Sequence, residues 1–215
     1  MSDESTKTIF VHIAAYRDPE LEATCFDLIA KATHPKRLSI GIVWQGIDPD
    51  DSLMISFEKY FPNINVLKCD ARESKGVCWA RAKGQALYNG EDYALQIDSH
   101  MRFEQGWDEL LIKMLSECDS EKPLLTTYPP AYEPPMELTK THILKLRPKE
   151  FTPDLVVTLT STLMPIDKAP DKPIKGIACG ACFIFGRGDY MKEVPYDPLL
   201  YFFGEEISMT ARPGS

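Results

Sequence analysis

This chain of 215 residues is poor in the side chains that build metal knots and disulfide scaffolds, with six cysteines and four histidines. Cys25, Cys69, Cys78, Cys118, Cys179 and Cys182 are spread through apolar or helical patterns. That spread excludes a disulfide framework and suits a reducing, cytoplasmic setting. Cys179 and Cys182 form one C-x-x-C, but no second pair is spaced to complete a zinc site, so they read as small buried residues in a strand. Positive charge is also scarce. Lysines and arginines number 24 against 32 aspartates and glutamates, a net charge of −8, which argues against a nucleic-acid or anionic-membrane partner. An acidic protein still binds a nucleotide where a metal and a few cations neutralise the phosphates locally. The polar start, Met1 to Lys7, lacks the basic end and apolar stretch of a signal peptide. No run approaches the length of a membrane helix. There is no internal repeat and no low-complexity tract.

What is present is an ordinary globular composition, 44% hydrophobic and 26% charged, in a length that suits one α/β domain. Thr8 to Ala14 reads as a first central strand, followed by a loop from Ala15 to Pro19. Pro19 can open a helix whose stripe is Leu21, Cys25, Leu28 and Ile29. Leu38 to Trp44 is a second strand. Asp50 or Asp51 can cap a helix carrying Leu53, Met54, Phe57 and Tyr60. Asn65 to Lys68 is a short third strand, and Gly76 to Tyr88 a helix. Tyr93 to Asp98 reads as a buried strand. Trp107 to Leu115 is a helix with Trp107, Leu110, Leu111 and Met114 on one side. This alternation predicts a mostly parallel sheet with helices on both faces. The proline-rich stretch from Tyr128 to about residue 175 reads as an excursion over the sheet's ligand edge, with one short apolar piece, Leu155 to Leu159. Strand character returns from Ile177 to Phe185, followed by a turn or short helix through Gly188 to Met191.

Asp98-Ser99-His100 is the most informative stretch. In a strand, residues two apart point the same way, so Asp98 and His100 are expected to face one spot at the strand's carboxyl end. Ligands of open α/β sheets bind at that end. One carboxylate and one imidazole suit a divalent metal, with mixed ligation leaning toward Mn2+ over Mg2+. Taken alone, the three residues also fit an ordinary strand-ending aspartate beside a surface histidine.

Three phrases carry a family resemblance: Ala14 to Leu21, Gln96 to Phe103 and Phe203 to Arg212. With Lys75, Gly76, Ala80 and Arg81 at a helix start between them, the order of parts resembles a GT-A glycosyltransferase. In closer detail it resembles the N-acetylglucosaminyltransferase family typified by the cytoplasmic enzyme that modifies hydroxyproline on a ubiquitin-ligase adaptor. The resemblance covers about residues 8 to 212. It implies a Rossmann-type nucleotide-diphospho-sugar transferase architecture in a single domain. Residues 8–127 would form the nucleotide-binding half and 128–215 the sugar and acceptor half, with the family pattern continuing beyond the carboxyl end. It implies a UDP-sugar donor, UDP-N-acetylglucosamine, used with retention, and a protein or glycan hydroxyl as acceptor, with hydroxyproline as one candidate.

The resemblance also implies residue roles. Tyr16, Arg17 and Asp18 would seat the nucleoside, and Lys75 and Arg81 the diphosphate at a helix start. Asp98 and His100, a variant of the D-x-D motif, would hold the metal that bridges the phosphates. Glu205 and Glu206 would hydrogen-bond the donor sugar or the acceptor hydroxyl. Gly180, Ala181 and Cys182 would form a small-residue wall near the sugar. Each has a plainer reading: a local ion pair for Arg17 and Asp18, solvated helix charges for Lys75 and Arg81, and acids at a helix's positive end for Glu205 and Glu206. Trp107 and Tyr128 fit either acceptor contacts or packing. Transferases of this fold commonly add a metal-binding histidine beyond the Gly-Glu-Glu helix. This chain has only His12, His34, His100 and His142, which makes His142 the first place to look. The competing functions are a nucleotide-sugar-binding domain without full activity, and a nucleotidyl- or phosphotransferase, which would need further carboxylates near Asp98.

Overall fold

The computed structural model describes residues 7–47, 61–134, 141–153 and 155–212. The helix expected after Asp50 and Asp51 lies outside the described residues. A six-stranded sheet has the order β3-β2-β1-β4-β8-β5, and a separate hairpin pairs β6 with β7. The strands are β1 (Ile9–Tyr16), β2 (Leu38–Gly46), β3 (Ile64–Asp70), β4 (Tyr93–Asp98), β5 (Leu124–Thr126), β6 (His142–Phe151), β7 (Val157–Pro165) and β8 (Phe183–Arg187). The helices are α1 (Leu21–Lys31), α2 (Val77–Gln85), α3 (Trp107–Ser116), α4 (Tyr190–Glu193) and α5 (Glu205–Ala211). The first four strands run parallel, as expected for β-α-β units, while β8 lies antiparallel to β4 and β5.

Strand alternation sorts side chains onto two faces. Ile9, Val11 and Ile13 of β1, with Leu95 and Ile97 of β4, pack under α1 and α3 through Leu21, Cys25, Leu28, Trp107, Ile112 and Leu115. Phe10 and Ala94 lie on the opposite face, with Cys78 of α2, Tyr190 and Met191 of α4 and Met209 of α5. His12 is also on this face, fully buried, and Gly84 of α2 makes its place. A Cβ on Gly84 would sit 2.1 Å from His12 Nε2.

The structure revises several expectations. The α3 stripe is turned, so that Leu110 is 46% exposed while Asp108 is buried. Asp108 accepts hydrogen bonds from the Thr33 and His34 amides and from Arg37, which ties α3 to the start of β2. Trp107 is core, its indole N–H donating to Leu28 O at 2.8 Å. The expected strand from Ile177 begins only at Phe183, so Cys179 and Cys182 lie in a loop before β8. The reason is where the amides go. Cys179 N–H donates to Thr210 Oγ1, Gly180 N–H to Thr126 Oγ1 and Ala181 N–H to Glu206 Oε1. Three successive donors held by side chains leave nothing for a sheet ladder. The proline-rich excursion contains the β6–β7 hairpin, which was not expected.

Candidate active site

The carboxyl ends of β1 and β4 open toward α2, the loop before β8 and the start of α5. Tyr16 ends β1 with 55% of its surface exposed. Arg17 then takes a positive φ of 51°, an uncommon conformation for a residue with a side chain, while its N–H donates to Gln45 O at 3.0 Å. This kink delivers Asp18 to the end of β4. Asp18 Oδ2 receives Ser99 Oγ at 2.6 Å and lies 2.7 Å from His100 Nδ1. Burial works against charge on Asp18, but the bonds from Ser99, His100 and the Glu20 amide outweigh it and hold the carboxyl below its usual range.

Asp98 and His100 are not the two positions of one straight strand that their spacing predicts. Strand β4 ends at Asp98 and the chain bends at Ser99 and His100, drawn to Asp18. Asp98 belongs to the face of α2, where its Oδ1 accepts from Arg81 Nη2 at 2.8 Å. Arg81 Nη1 donates to Glu205 Oε2 at 3.0 Å, and the Arg81 side chain is only 4% exposed. Burial alone would lower the Arg81 guanidinium, but the surrounding Tyr196, Glu205 and Asp98 side chains outweigh it and keep the group charged. Burial raises the Glu205 carboxyl, and Arg81 opposes that rise. Cys78 Sγ lies 3.4 Å from the same Glu205 oxygen, its thiol pushed up to about 12 by burial and by Glu205, so it remains a donor.

The two glutamates at the start of α5 therefore part company. Glu205 is turned inward onto Arg81. Glu206 is half-buried and is held through one oxygen, Oε1, by the Tyr128 hydroxyl at 2.7 Å and the Ala181 amide at 3.2 Å. Burial and Glu206 raise the Tyr128 hydroxyl, keeping it protonated as the donor. Gly180 is required here, because a Cβ would lie 2.8 Å from the Tyr128 ring. Lys75 is exposed at the entrance to α2. The first α2 amide, Val77 N–H, donates to Tyr201 O at 3.1 Å, so this part of the expected anion seat is taken by the chain itself.

As metal donors, the residues fit in part. Among the described residues, Asp98 Oδ2 and His100 Nε2 have no hydrogen-bond partner. The Asp18 contact to His100 Nδ1 is the kind of carboxylate support that orients a ligating imidazole. No group of three or more His, Cys, Asp or Glu side chains among the described residues could hold a metal. His34 bonds Glu109, His142 bonds Thr141, and His12 is buried in the core, so none of them joins His100.

Sequence reasoning missed the groups that brace the site. Tyr132, from the proline-rich loop, donates to Glu20 at 3.2 Å and lies 4.8 Å under the Arg102 guanidinium, which itself pairs with Glu20. Arg102 stands within the Gln96 to Phe103 phrase, and that is the one signal that pointed to it. Gln45 is 3% exposed and bonds Ala15 O and Ser74 Oγ, tying the Arg17 kink to the entrance of α2.

No curated protein sequence matches the chain. Among solved structures, a crystal structure of GalNAc-T7 with UDP, GalNAc and Mn2+ superposes with a TM-score of 0.68 at 14% sequence identity. That match covers 98% of this chain and 41% of the other, so the chain spans less than half the length of that protein. At this identity the likeness speaks to fold, which is GT-A: a mostly parallel α/β sheet covered by helices. Residues 8–62 and 56–213 match the sequence profile of the family described as Glycosyltransferase (GlcNAc), and the chain belongs to that family.

Proposed function

We propose that the chain transfers N-acetylglucosamine from UDP-N-acetylglucosamine, with retention, to an acceptor hydroxyl, with protein hydroxyproline as the acceptor to test first. The observation that carries this reading is the end of β4. Asp98 and the carboxylate-braced His100 each keep one donor atom free beside the exposed Tyr16, where GT-A folds seat a nucleotide. UDP bound with Mn2+ in the GalNAc-T7 structure supports the same donor chemistry here. Residues 8–127 would then hold the nucleotide, and those from 128 onward the sugar and acceptor.

In this reading Asp98 Oδ2 and His100 Nε2 hold a divalent cation, Mn2+ or Mg2+. When bound, it supplies Lewis-acid neutralisation of the diphosphate. Tyr16 stacks on the base, and Asp18 keeps His100 in place. Lys75, exposed at the entrance to α2, would pair with the outer phosphate. Arg81 acts at one remove, since its buried guanidinium is turned onto Asp98 and Glu205 through both terminal nitrogens. Glu206 has its orientation set by Tyr128 and Ala181 and offers its second oxygen to a sugar or acceptor hydroxyl. The bond from the anomeric carbon to the β-phosphate oxygen breaks, the acceptor oxygen bonds that carbon, and its proton passes to the departing phosphate oxygen. No protein base is then required.

A second reading, a nucleotide-sugar-binding domain without turnover, is favoured by the two-donor set around Asp98. The test is incubation with UDP-N-acetylglucosamine and Mn2+, with and without a hydroxyproline peptide. Release of UDP with one N-acetylhexosamine on the peptide is the expected result. Tight binding without turnover selects the second reading, and no binding of UDP overturns both.

A further inference from the structure

The charge of the chain changes sign along one segment. Residues 141–175 hold six Lys or Arg against four Asp or Glu, a net +2, which leaves −10 on the rest of a chain whose total is −8. Most of this segment is the β6–β7 hairpin. Leu144 and Leu146 turn one side of β6 toward the site. Thr127 Oγ1 donates to Leu144 O at 3.1 Å, and Leu146 Cδ1 lies 3.2 Å from where Gly180 would carry a Cβ. This is the loop whose Tyr128 holds Glu206.

Alternation puts Lys145 and Arg147 on the other side, across from Thr162 and Thr160 of β7. Both are exposed, and among the described residues neither meets a carboxylate, whereas Lys149 pairs with Glu150 at 2.7 Å. Two free cations on an otherwise acidic molecule contribute nothing evident to folding, and they lie on the side of β6 opposite Leu144 and Leu146. They are suited to a ligand that arrives beside the site rather than in it. Residues two apart on a strand are about 6.6–6.8 Å apart, which is also the spacing of alternate carboxylates in an extended peptide. A long polyanion would meet the surrounding negative charge, but a short acidic segment would meet only the hairpin.

Resting on the transfer reading above, we propose that the outward face of the β6–β7 hairpin, through Lys145 and Arg147, docks an acidic segment of the acceptor polypeptide flanking the hydroxyl to be glycosylated. The test compares the parent chain with the Lys145→Glu/Arg147→Glu double variant. The probes are a fluorescent hydroxyproline peptide flanked by aspartates and its asparagine counterpart. Peptide binding is read by anisotropy at two salt concentrations, and donor hydrolysis is read separately. The proposal expects the acidic peptide to bind the parent more tightly than the neutral one and to lose affinity with salt. It also expects about tenfold loss in the double variant, as for a charge-steered contact, with UDP-N-acetylglucosamine hydrolysis unchanged. Equal binding of both peptides, an unchanged affinity in the variant, or a loss confined to the donor would overturn it. Hydrolysis tests the transfer reading independently, so the two can fail separately.

Discussion

Replacing Arg81 with lysine separates a brace from a phosphate ligand. The guanidinium spans Asp98 Oδ1 at 2.8 Å and Glu205 Oε2 at 3.0 Å with two different nitrogens, and its side chain is 4% exposed. A lysine ammonium at the same place is a point charge that reaches one carboxylate well and the other poorly. Losing one charge-assisted hydrogen bond costs about 1.5–3 kcal/mol. For a domain of this length, that lowers the thermal midpoint by roughly 3–12 °C. Arg81→Met removes the charge altogether and strands Glu205, for which about 3–5 kcal/mol is expected. Adding Glu205→Gln to Arg81→Met should recover part of that loss, because the two groups are coupled. Urea unfolding followed by circular dichroism reads all three, with UDP affinity measured on the same samples. An Arg81→Lys variant of unchanged stability but weakened UDP binding would refute the reasoning and return the guanidinium to the donor phosphates.

Other groups make sharp predictions too. His12 is fully buried, and burial followed by the positive charge of Arg81 pushes its pKa down to about 3 from 6.5. The unfolded chain therefore takes up the proton first, so stability falls as pH drops below 6.5, by about 2 kcal/mol at pH 5. A His12→Gln variant should show a flatter limb between pH 6.5 and pH 5 in urea titrations, and an identical slope would count against a buried neutral imidazole. Tyr128→Phe frees Glu206 Oε1 from its hydroxyl donor and should lower kcat for transfer by on the order of tenfold while leaving the KM for UDP-sugar near the parent value. Equal effects on both would mean that Tyr128 only supports the loop.

The parallel half of the fold was readable because its strands are continuous apolar runs ended by polar loops. Ile9 to Ile13 and Ala94 to Ile97 are buried on both faces, and nothing local competes with that pattern. The other half depends on partners distant in sequence. Ile177 to Cys182 has strand composition, yet its amides are claimed by Thr126, Glu206 and Thr210. The three residues of β5 are too few to show alternation, and β6 contains Pro148 and an irregularity between Pro148 and Phe151. Near the site, the end of β4 at Asp98 was legible because the apolar run stops at a charged residue. The inward turn of Glu205 and the buried Arg81 were not, since a Gly-Glu-Glu start and a helical arginine read equally well as solvated charges. Asp18 was expected at the base, and only the bend after Asp98 brings it to His100.

The central claim is that Asp98 and His100 hold a metal that carries the donor diphosphate. Calorimetric titration of UDP against the parent and an Asp98→Asn variant, across a range of Mn2+ concentrations, tests it most directly. Asparagine keeps an oxygen for Arg81 to bond, so the variant should stay folded. The account predicts that Mn2+ tightens UDP binding to the parent, and that the variant loses this gain by at least the roughly 10–100-fold that losing even a supporting partner costs a metal site. A folded variant whose UDP affinity responds to Mn2+ as the parent's does would contradict it.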